Sequence, residues 1–159
     1  MNKTKKLIAA IYPKTPTDDP SATMGNISKL LYQFQTSPQK LPKAAKDLEK
    51  RALECVKVQN MAYVRITVTV IVELIKGTRE HLALFEDVLA NVITAYCGNP
   101  SPEVRCSGIA IFNAYVDVLD STSAPASRLD FFAYVSRFIE FARSSAVHKL
   151  KVAAFQGLA

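Results

Sequence analysis

The chain has 159 residues, of which 49% are hydrophobic and only five are glycine, a composition that excludes a disordered chain and favours helices over a turn-rich sheet. The net charge of +6 lies entirely in residues 1–57, where eleven Lys and Arg face five Asp and Glu; the remaining residues balance at nine each, which indicates a polyanionic partner for the first third. Three cysteines without a C-x-x-C pair and two isolated histidines exclude a zinc site and a disulfide framework.

Residues 3–12 predict a short helix that buries apolar side chains. Lys3, Lys5 and Lys6 lie at its start, where cations oppose the helix dipole and so need another reason to be present. A solvated helix tip and a contact with an anionic surface explain them equally well. Residues 13–25, with three prolines, predict a loop, and Asn26 is the expected cap of a second short helix that ends at Phe34.

The third predicted helix begins near Pro38, runs to about residue 60 and is the most basic element of the chain. Its lysines recur at spacings of three, four and seven, so they share one helix face: Lys43, Lys46, Lys50 and Lys57. Leu41, Leu48 and other apolar residues occupy another face. A lysine stripe is often only the solvated side of a helix. The later helices carry no similar stripe, which favours the functional interpretation.

Residues 61–76 give conflicting signals, because alternating β-branched residues suit a strand whereas the length and apolar spacing suit a helix. An internal repeat decides for the helix. The pair Val64-Arg65 returns forty residues later as Val104-Arg105, and the pattern returns again forty-six residues later at Leu150. Such a period is typical of armadillo and HEAT repeats. We therefore expect an all-α, armadillo/HEAT-like α-solenoid of antiparallel helix pairs.

The rest of the chain continues this pattern. We expect one helix over residues 80–96, another after a Ser101 cap with Pro102 in its first turn, and two more over residues 127–143 and 145–159. The following positions are expected to be buried: Val68, Ile71, Phe85, Leu89, Ile111, Phe112, Phe131 and Phe138. Arg65 and Arg105 occupy matching repeat positions, and each is expected to be partly buried and paired with a neighbouring carboxylate or carbonyl.

Residues 1–159 are expected to form a single repeat domain. In this prediction, residues 1–37 form basic helices that lead into about three helix-pair repeats in residues 38–159. Solenoids normally close with a polar capping repeat, and the last predicted helix has none. The chain is therefore expected to be the amino-terminal part of a longer rod. We also expect it to be a monomer.

The sequence offers no parts for catalysis. It lacks G-x-S-x-G, a P-loop and H-E-x-x-H, and adjacent carboxylates such as Glu86 and Asp87 point away from each other on a helix. We expect neither an enzyme nor a cofactor. A nucleic-acid partner ranks lowest among the polyanions, because Arg51 is the one arginine in the basic third and phosphate and base recognition favour arginine.

Several short segments, in a consistent order over nearly the whole chain, resemble a known family. They include Leu7-Ile8, Ile11-Tyr12-Pro13, Lys40-Leu41 and Tyr63-Val64, followed by residues 130–132 and 135–138. The chain resembles the amino-terminal region of the Rolling blackout family, peripheral plasma-membrane proteins that anchor phosphatidylinositol 4-kinase III alpha. It departs from the animal members, because residues 1–5 hold no cysteine for palmitoylation and Asn2 stands where myristoylation needs glycine.

The resemblance implies a helical-repeat scaffold at the cytoplasmic face of the plasma membrane. A basic amino-terminal patch would touch acidic phospholipids, and the scaffold would recruit the kinase through adaptor proteins. The candidate lipid-facing charges are Lys3, Lys5, Lys6, Lys14, Lys40, Lys43, Lys46 and Lys50. The alternative is a soluble helical-repeat module that binds a protein or peptide in its groove, with the basic end merely solvated.

Overall fold

Four helices of this protein are 16 to 19 residues long, and short turns join several neighbouring helices. The computed structural model describes residues 2–15 and 21–120, together with Gln156 and Leu158. Across the two continuous ranges the chain forms six α-helices: α1 (Lys3–Ile11), α2 (Ser21–Thr36), α3 (Leu41–Lys57), α4 (Met61–Gly77), α5 (Glu86–Cys97) and α6 (Pro102–Asp120). Two 3-10 helices, Pro38–Lys40 and Arg79–Leu84, precede α3 and α5.

The six helices stack in two layers. Helices α1, α3 and α5 pack in sequence along one layer, and α2, α4 and α6 pack along the other. Within the stack, α1 packs on α2, α3 on α4 and α5 on α6, so each step adds one helix to each layer. This is the all-α, armadillo-type solenoid predicted from the repeat, and residues 61–76 form a helix rather than a strand.

Asparagine side chains cap the N-termini of two of the helices. Asn2 caps α1 by accepting a hydrogen bond from the Thr4 backbone N–H at 3.1 Å, and Asn60 caps α4 through the Tyr63 N–H at 3.2 Å. The connection from α3 to α4 passes through Gln59, which has a φ of 54° in the left-handed region. It is closed by a hydrogen bond of 2.9 Å from the Asn60 N–H to the Cys55 carbonyl. The α3–α4 pair is thus joined by a very short turn.

Two helix boundaries differ from the prediction. Asn26 is not a cap, because α2 begins at Ser21 and Asn26 lies inside it, where its side chain donates to the Ala10 carbonyl at 3.0 Å. The helix expected over residues 80–96 is broken at Phe85, whose φ of −137° is not helical. The break lets Leu82 and Phe85 both face the core, where they are 6% and 3% exposed.

Most of the positions expected to be buried are buried. Ile71, Phe85, Leu89, Ile111 and Phe112 all belong to one continuous core. Val68 is only half-buried, and its neighbour Thr67 takes the inward position with no exposed surface. Thr67 tolerates burial because its hydroxyl donates to the Tyr63 carbonyl at 2.8 Å and also bonds the Tyr12 hydroxyl. Phe131, Phe138 and the third repeat start at Leu150 lie outside the described residues.

Helices α5 and α6 approach each other very closely, and both also contact the preceding pair. A side chain on Gly108 of α6 would place its Cβ 2.8 Å from Cys97 Sγ and 2.9 Å from Tyr96 Cβ, so only glycine fits between α5 and α6. Tyr96 in turn donates its hydroxyl to the Ala52 carbonyl of α3 at 3.0 Å. Arg65 of α4 bonds Glu103 of α6 at 2.7 Å. Arg65 is paired as predicted, but its side chain is 67% exposed rather than partly buried, whereas Arg105 is half-buried.

Within the part of the chain that the structure describes, no helix is both long enough and apolar enough to cross a membrane.

Candidate cationic surface

Helix α1 is held on the stack by polar side chains as well as apolar ones. Gln33 of α2 donates its Nε2 to Thr4 Oγ1 at 2.9 Å, and both side chains are buried. At the other end of α1, the Tyr12 hydroxyl lies 2.9 Å from Thr67 Oγ1 of α4. Hydrogen bonds between buried partners require one geometry, so they fix the orientation of α1 as well as its contact with the stack.

Tyr12 is the centre of an aromatic cluster that joins three helices. The Arg51 guanidinium of α3 lies over its ring, 4.9 Å from the centroid, and the Tyr63 ring of α4 meets it edge-on at 5.7 Å. Burial raises the pKa of Tyr12 to about 12, although the hydrogen bond with Thr67 opposes the shift. Burial also raises the pKa of the neighbouring Cys55 thiol, so this cysteine is a core residue and not a reactive thiolate.

The three lysines of α1 cover its exposed half. At about 100° per residue, Lys6 lies opposite the buried side that Thr4, Ile8 and Ile11 form. Lys3 falls on the α2 side of Lys6 and Lys5 on the α3 side, in agreement with the clefts that each lines. All three are exposed. No acidic residue lies in the first turn to offset them, so α1 presents an unbroken cationic face.

The lysines of α3 share one face, as predicted. Lys43, Lys46 and Lys50 fall within an arc of about 60° on the side opposite buried Leu41 and Leu48. All three are exposed. Lys46 is at the edge of this arc that faces α5, where it pairs with Glu49 at 3.0 Å. Lys46 therefore has a direct ion-pair partner, whereas Lys43 and Lys50 lie on the α1 side, in clefts that Asp47 also lines.

A groove between α1 and α3 brings five basic side chains together. Lys5, Lys40 and Lys43 line its first part, a cleft of about 130 Å³. Lys5 also lines the second part, a cleft of about 350 Å³, together with Lys50 and Arg51. Two carboxylates share the groove, since Asp47 lines both parts and Glu54 lines the second. The α1–α3 groove is therefore cationic at its rim but partly neutralised within.

The cleft on the other side of α1 has a different lining from the α1–α3 groove. Here a cleft of about 530 Å³, the α1–α2 cleft, is lined by Lys3, Lys29 and Lys40 and by no carboxylate of the described residues. Ser28, Thr36 and Ser37 add hydroxyl groups, and the Tyr32 ring stands 69% exposed beside them. Sequence reasoning missed Lys29, although its spacing from Tyr32 and Thr36 at i, i+3 and i+7 places all three on one face of α2.

The structure thus gathers five of the eight predicted lysines around α1: Lys3, Lys5, Lys40, Lys43 and Lys50. It adds Lys29 and Arg51 to them. Lys46 lies on the α5 side of α3, whereas Lys6 and Lys14 are exposed but line none of these clefts. Among the described residues, no group of His, Cys, Asp and Glu has the arrangement of a metal site.

Comparison with known proteins places the chain in a family. The model of the EFR3 armadillo repeat matches residues 27–159, from the second turn of α2 onward. Protein SEMI-ROLLED LEAF 2 of Oryza sativa subsp. japonica is 28% identical over 121 residues, which are 76% of this chain and 12% of that protein. Protein efr-3 of Neurospora crassa is 26% identical over 142 residues, 88% of this chain and 13% of the relative.

Human Protein EFR3 homolog B is 25% identical over 142 residues, 89% of this chain and 17% of its own length. The chain thus spans less than a fifth of the curated relatives it matches. No solved structure matches it. Because the family model covers most of the chain and the six described helices stack as its repeats require, the chain belongs to the EFR3 family, which is the Rolling blackout family that its sequence resembles.

Proposed function

We propose that this chain is the membrane-facing, amino-terminal region of a non-enzymatic peripheral scaffold. It binds acidic phospholipids at the cytoplasmic face of the plasma membrane and helps to recruit a phosphatidylinositol 4-kinase complex. The observation that carries the proposal is the placement of charge. All eight predicted lysines are exposed, and five of them line the grooves on the two sides of α1.

The energetics of such a surface suit reversible attachment. A basic side chain near an anionic membrane contributes about 1 kcal/mol, so the five lysines around α1 together supply useful binding through charge. Exposed charges are screened over about 8 Å at physiological ionic strength. The attachment should therefore weaken steeply with salt and vanish on neutral lipid.

Membrane binding through α1 would also orient the solenoid. Helix α1 is the first described helix of its layer, and α5 and α6 lie two helix pairs further along the stack. A membrane contact at the α1 end would leave the surfaces of the later repeats free for adaptor proteins. The kinase and its adaptors are proposed from the family alone, and no partner surface among residues 2–120 is assigned to them.

The test compares two double charge reversals in liposome co-sedimentation. Lys43→Glu with Lys50→Glu removes two charges of the α1–α3 groove and omits Lys46, which Glu49 already pairs. Lys76→Glu with Arg79→Glu is the matched control, since both residues are exposed and line neither groove of α1; the Lys76 contact with Glu73, at 4.0 Å, is longer than that of Lys46 with Glu49. Surface changes shift stability by about 0.5 kcal/mol, so both variants should fold as wild type does by circular dichroism.

We expect wild type and control to bind vesicles rich in phosphatidylserine, and the groove variant to lose about tenfold or more in affinity. None of the three proteins should bind phosphatidylcholine vesicles, and raising the salt should release wild type from the anionic vesicles. Equal binding by all three proteins, or binding that ignores both salt and lipid charge, would contradict the electrostatic attachment. The soluble module that binds a protein or peptide partner would then be the better account.

A further inference from the structure

The α1–α2 cleft and the α1–α3 groove are both lined by lysines, but they differ in their acidic residues. Lys3, Lys29 and Lys40 surround it, and the described residues that line it include no carboxylate, whereas Asp47 lines both parts of the neighbouring groove. Its volume of about 530 Å³ is within the range of about 300 to 1,000 Å³ that is usual for ligand sites. Three ammonium groups around an acid-free cleft favour a ligand with more than one negative charge.

The hydroxyl groups of the cleft supply acceptors rather than further donors. Ser28 donates its hydroxyl to the Met24 carbonyl and Thr36 donates to the Tyr32 carbonyl, each at 3.0 Å. A hydroxyl that donates in this way keeps lone pairs that can accept. The cleft therefore pairs cationic donors, which suit phosphate oxygens, with hydroxyl acceptors, which suit the hydroxyl groups of a polyol.

Tyr32 indicates that the ligand comes from a membrane. Its ring is 69% exposed at the cleft, although a large aromatic side chain normally finds cover. Tyrosine is enriched at membrane interfaces, because its ring suits the apolar side and its hydroxyl the headgroup side. Placed beside three lysines, it would enter the headgroup layer when the cleft faces the bilayer.

We propose that the α1–α2 cleft binds the phosphorylated polyol headgroup of a membrane lipid, that is, of a phosphoinositide. A phosphodiester carries about one negative charge and a phosphomonoester about 1.5 to 2, so a headgroup with both matches three lysines. The inference rests on the proposed membrane attachment but adds a preference that charge density alone does not give. Phosphatidylserine has the charge but neither the second phosphate nor the ring hydroxyls.

The experiment measures binding to two sets of vesicles with equal surface charge. One set obtains its charge from phosphatidylserine and the other from phosphatidylinositol phosphate at a correspondingly lower mole fraction. We expect wild type to bind the second set at least fivefold more tightly. A variant with Ser28→Ala and Thr36→Ala keeps every charge, and it should lose that preference while binding phosphatidylserine vesicles as wild type does.

The matched control carries Thr69→Ala and Ser107→Ala. These hydroxyls also donate to carbonyls one turn earlier, at 3.0 and 3.1 Å, but they lie on α4 and α6 and line none of the clefts beside α1. This control should keep the preference. Loss of the preference in both variants would point to a general effect on the helices and would overturn the assignment of the cleft.

The remaining outcomes separate the two proposals and the two ligand sources. Equal binding of wild type to both vesicle sets overturns the headgroup site but leaves electrostatic attachment standing. Failure to bind either set overturns both. Binding of soluble inositol phosphate by wild type, without any preference among vesicles, would identify a free phosphate as the ligand and contradict the lipid source.

Discussion

The first three helices and the last three described helices are stabilised in different ways. Helix α1 is attached through its buried Ile8 and Ile11 and through two polar contacts between buried side chains, Gln33 to Thr4 and Tyr12 to Thr67, and it exposes a cationic face. Helices α5 and α6 also share a buried hydrogen bond, from the Tyr115 hydroxyl to the Glu86 carboxylate, but they meet so closely that a glycine is required at position 108. The α1 region thus combines polar anchors with an exposed charged surface, whereas the α5–α6 region combines a polar anchor with very close packing.

The largest expected effect breaks the tightly packed region. Gly108→Val would drive a branched side chain against Cys97 and Tyr96, and we expect it to lower the free energy of unfolding by about 3 kcal/mol or more. Chemical denaturation followed by circular dichroism measures the change. Gly25 in α2 is the contrasting position, since no described atom lies within 4 Å of a Cβ placed there.

Gly25→Ala should leave the protein as stable as wild type or stabilise it by about 0.5 to 1 kcal/mol, because alanine loses less backbone entropy in a helix. A similar loss of stability at both glycines would contradict the difference between the two regions.

The second effect tests the polar anchors of the basic region by pH. With its folded-state pKa at about 12 and an unfolded value near 10, Tyr12 keeps its proton longer in the folded protein. Its contribution to stability is complete below pH 10 and is lost as the pH rises through 12, by about 2 to 3 kcal/mol in all. Tyr96, whose pKa burial also raises, adds a loss of the same sign.

Unfolding free energies measured between pH 9 and 12 should therefore fall with pH in wild type and fall less steeply in Tyr12→Phe. That variant also loses the hydrogen bond to Thr67, so it should be less stable than wild type below pH 10 by about 1 kcal/mol. Identical slopes for the two proteins would show that Tyr12 does not titrate differently on folding.

The smallest effect concerns the Arg65 and Glu103 pair that joins α4 to α6. Both side chains are largely open to solvent, at 67% and 40%, so a double-mutant cycle to alanine should give a coupling of less than about 1 kcal/mol. Salt should reduce it further. A coupling of several kcal/mol would mean that the pair, and not the apolar interface, holds the two repeats together.

The sequence was a good guide to the repeat and a poorer one to local geometry. The pairing of Val64-Arg65 with Val104-Arg105 identified α4 correctly, even though its β-branched residues favoured a strand. The break at Phe85 could not be read in the same way, because an apolar residue at helical spacing carries no sign of its backbone angles. Thr67 was also missed, because its burial depends on Tyr12, which is 55 residues away in sequence.

The lysines were also predicted well in one respect and poorly in another. Their exposure and their shared helix faces follow from spacing alone, and the structure agrees for Lys43, Lys46 and Lys50. The difference between the two sides of α1 does not follow from spacing, because it depends on which carboxylates lie near which lysines of other helices. Lys29 was overlooked for that reason: its significance comes from Lys3 and Lys40, which belong to other elements.

The cluster at Tyr12 has a mechanical consequence. If lipids hold α1 while a partner pulls on the later repeats, the load must pass from α1 into the stack through its junctions. Tyr12 contacts Arg51 of α3 and Thr67 of α4, and Tyr63 also donates to the Pro13 carbonyl, so the force divides between both layers at once. Contacts loaded in parallel share the tension and resist peeling, which makes this junction the place where α1 is secured against being drawn off the solenoid.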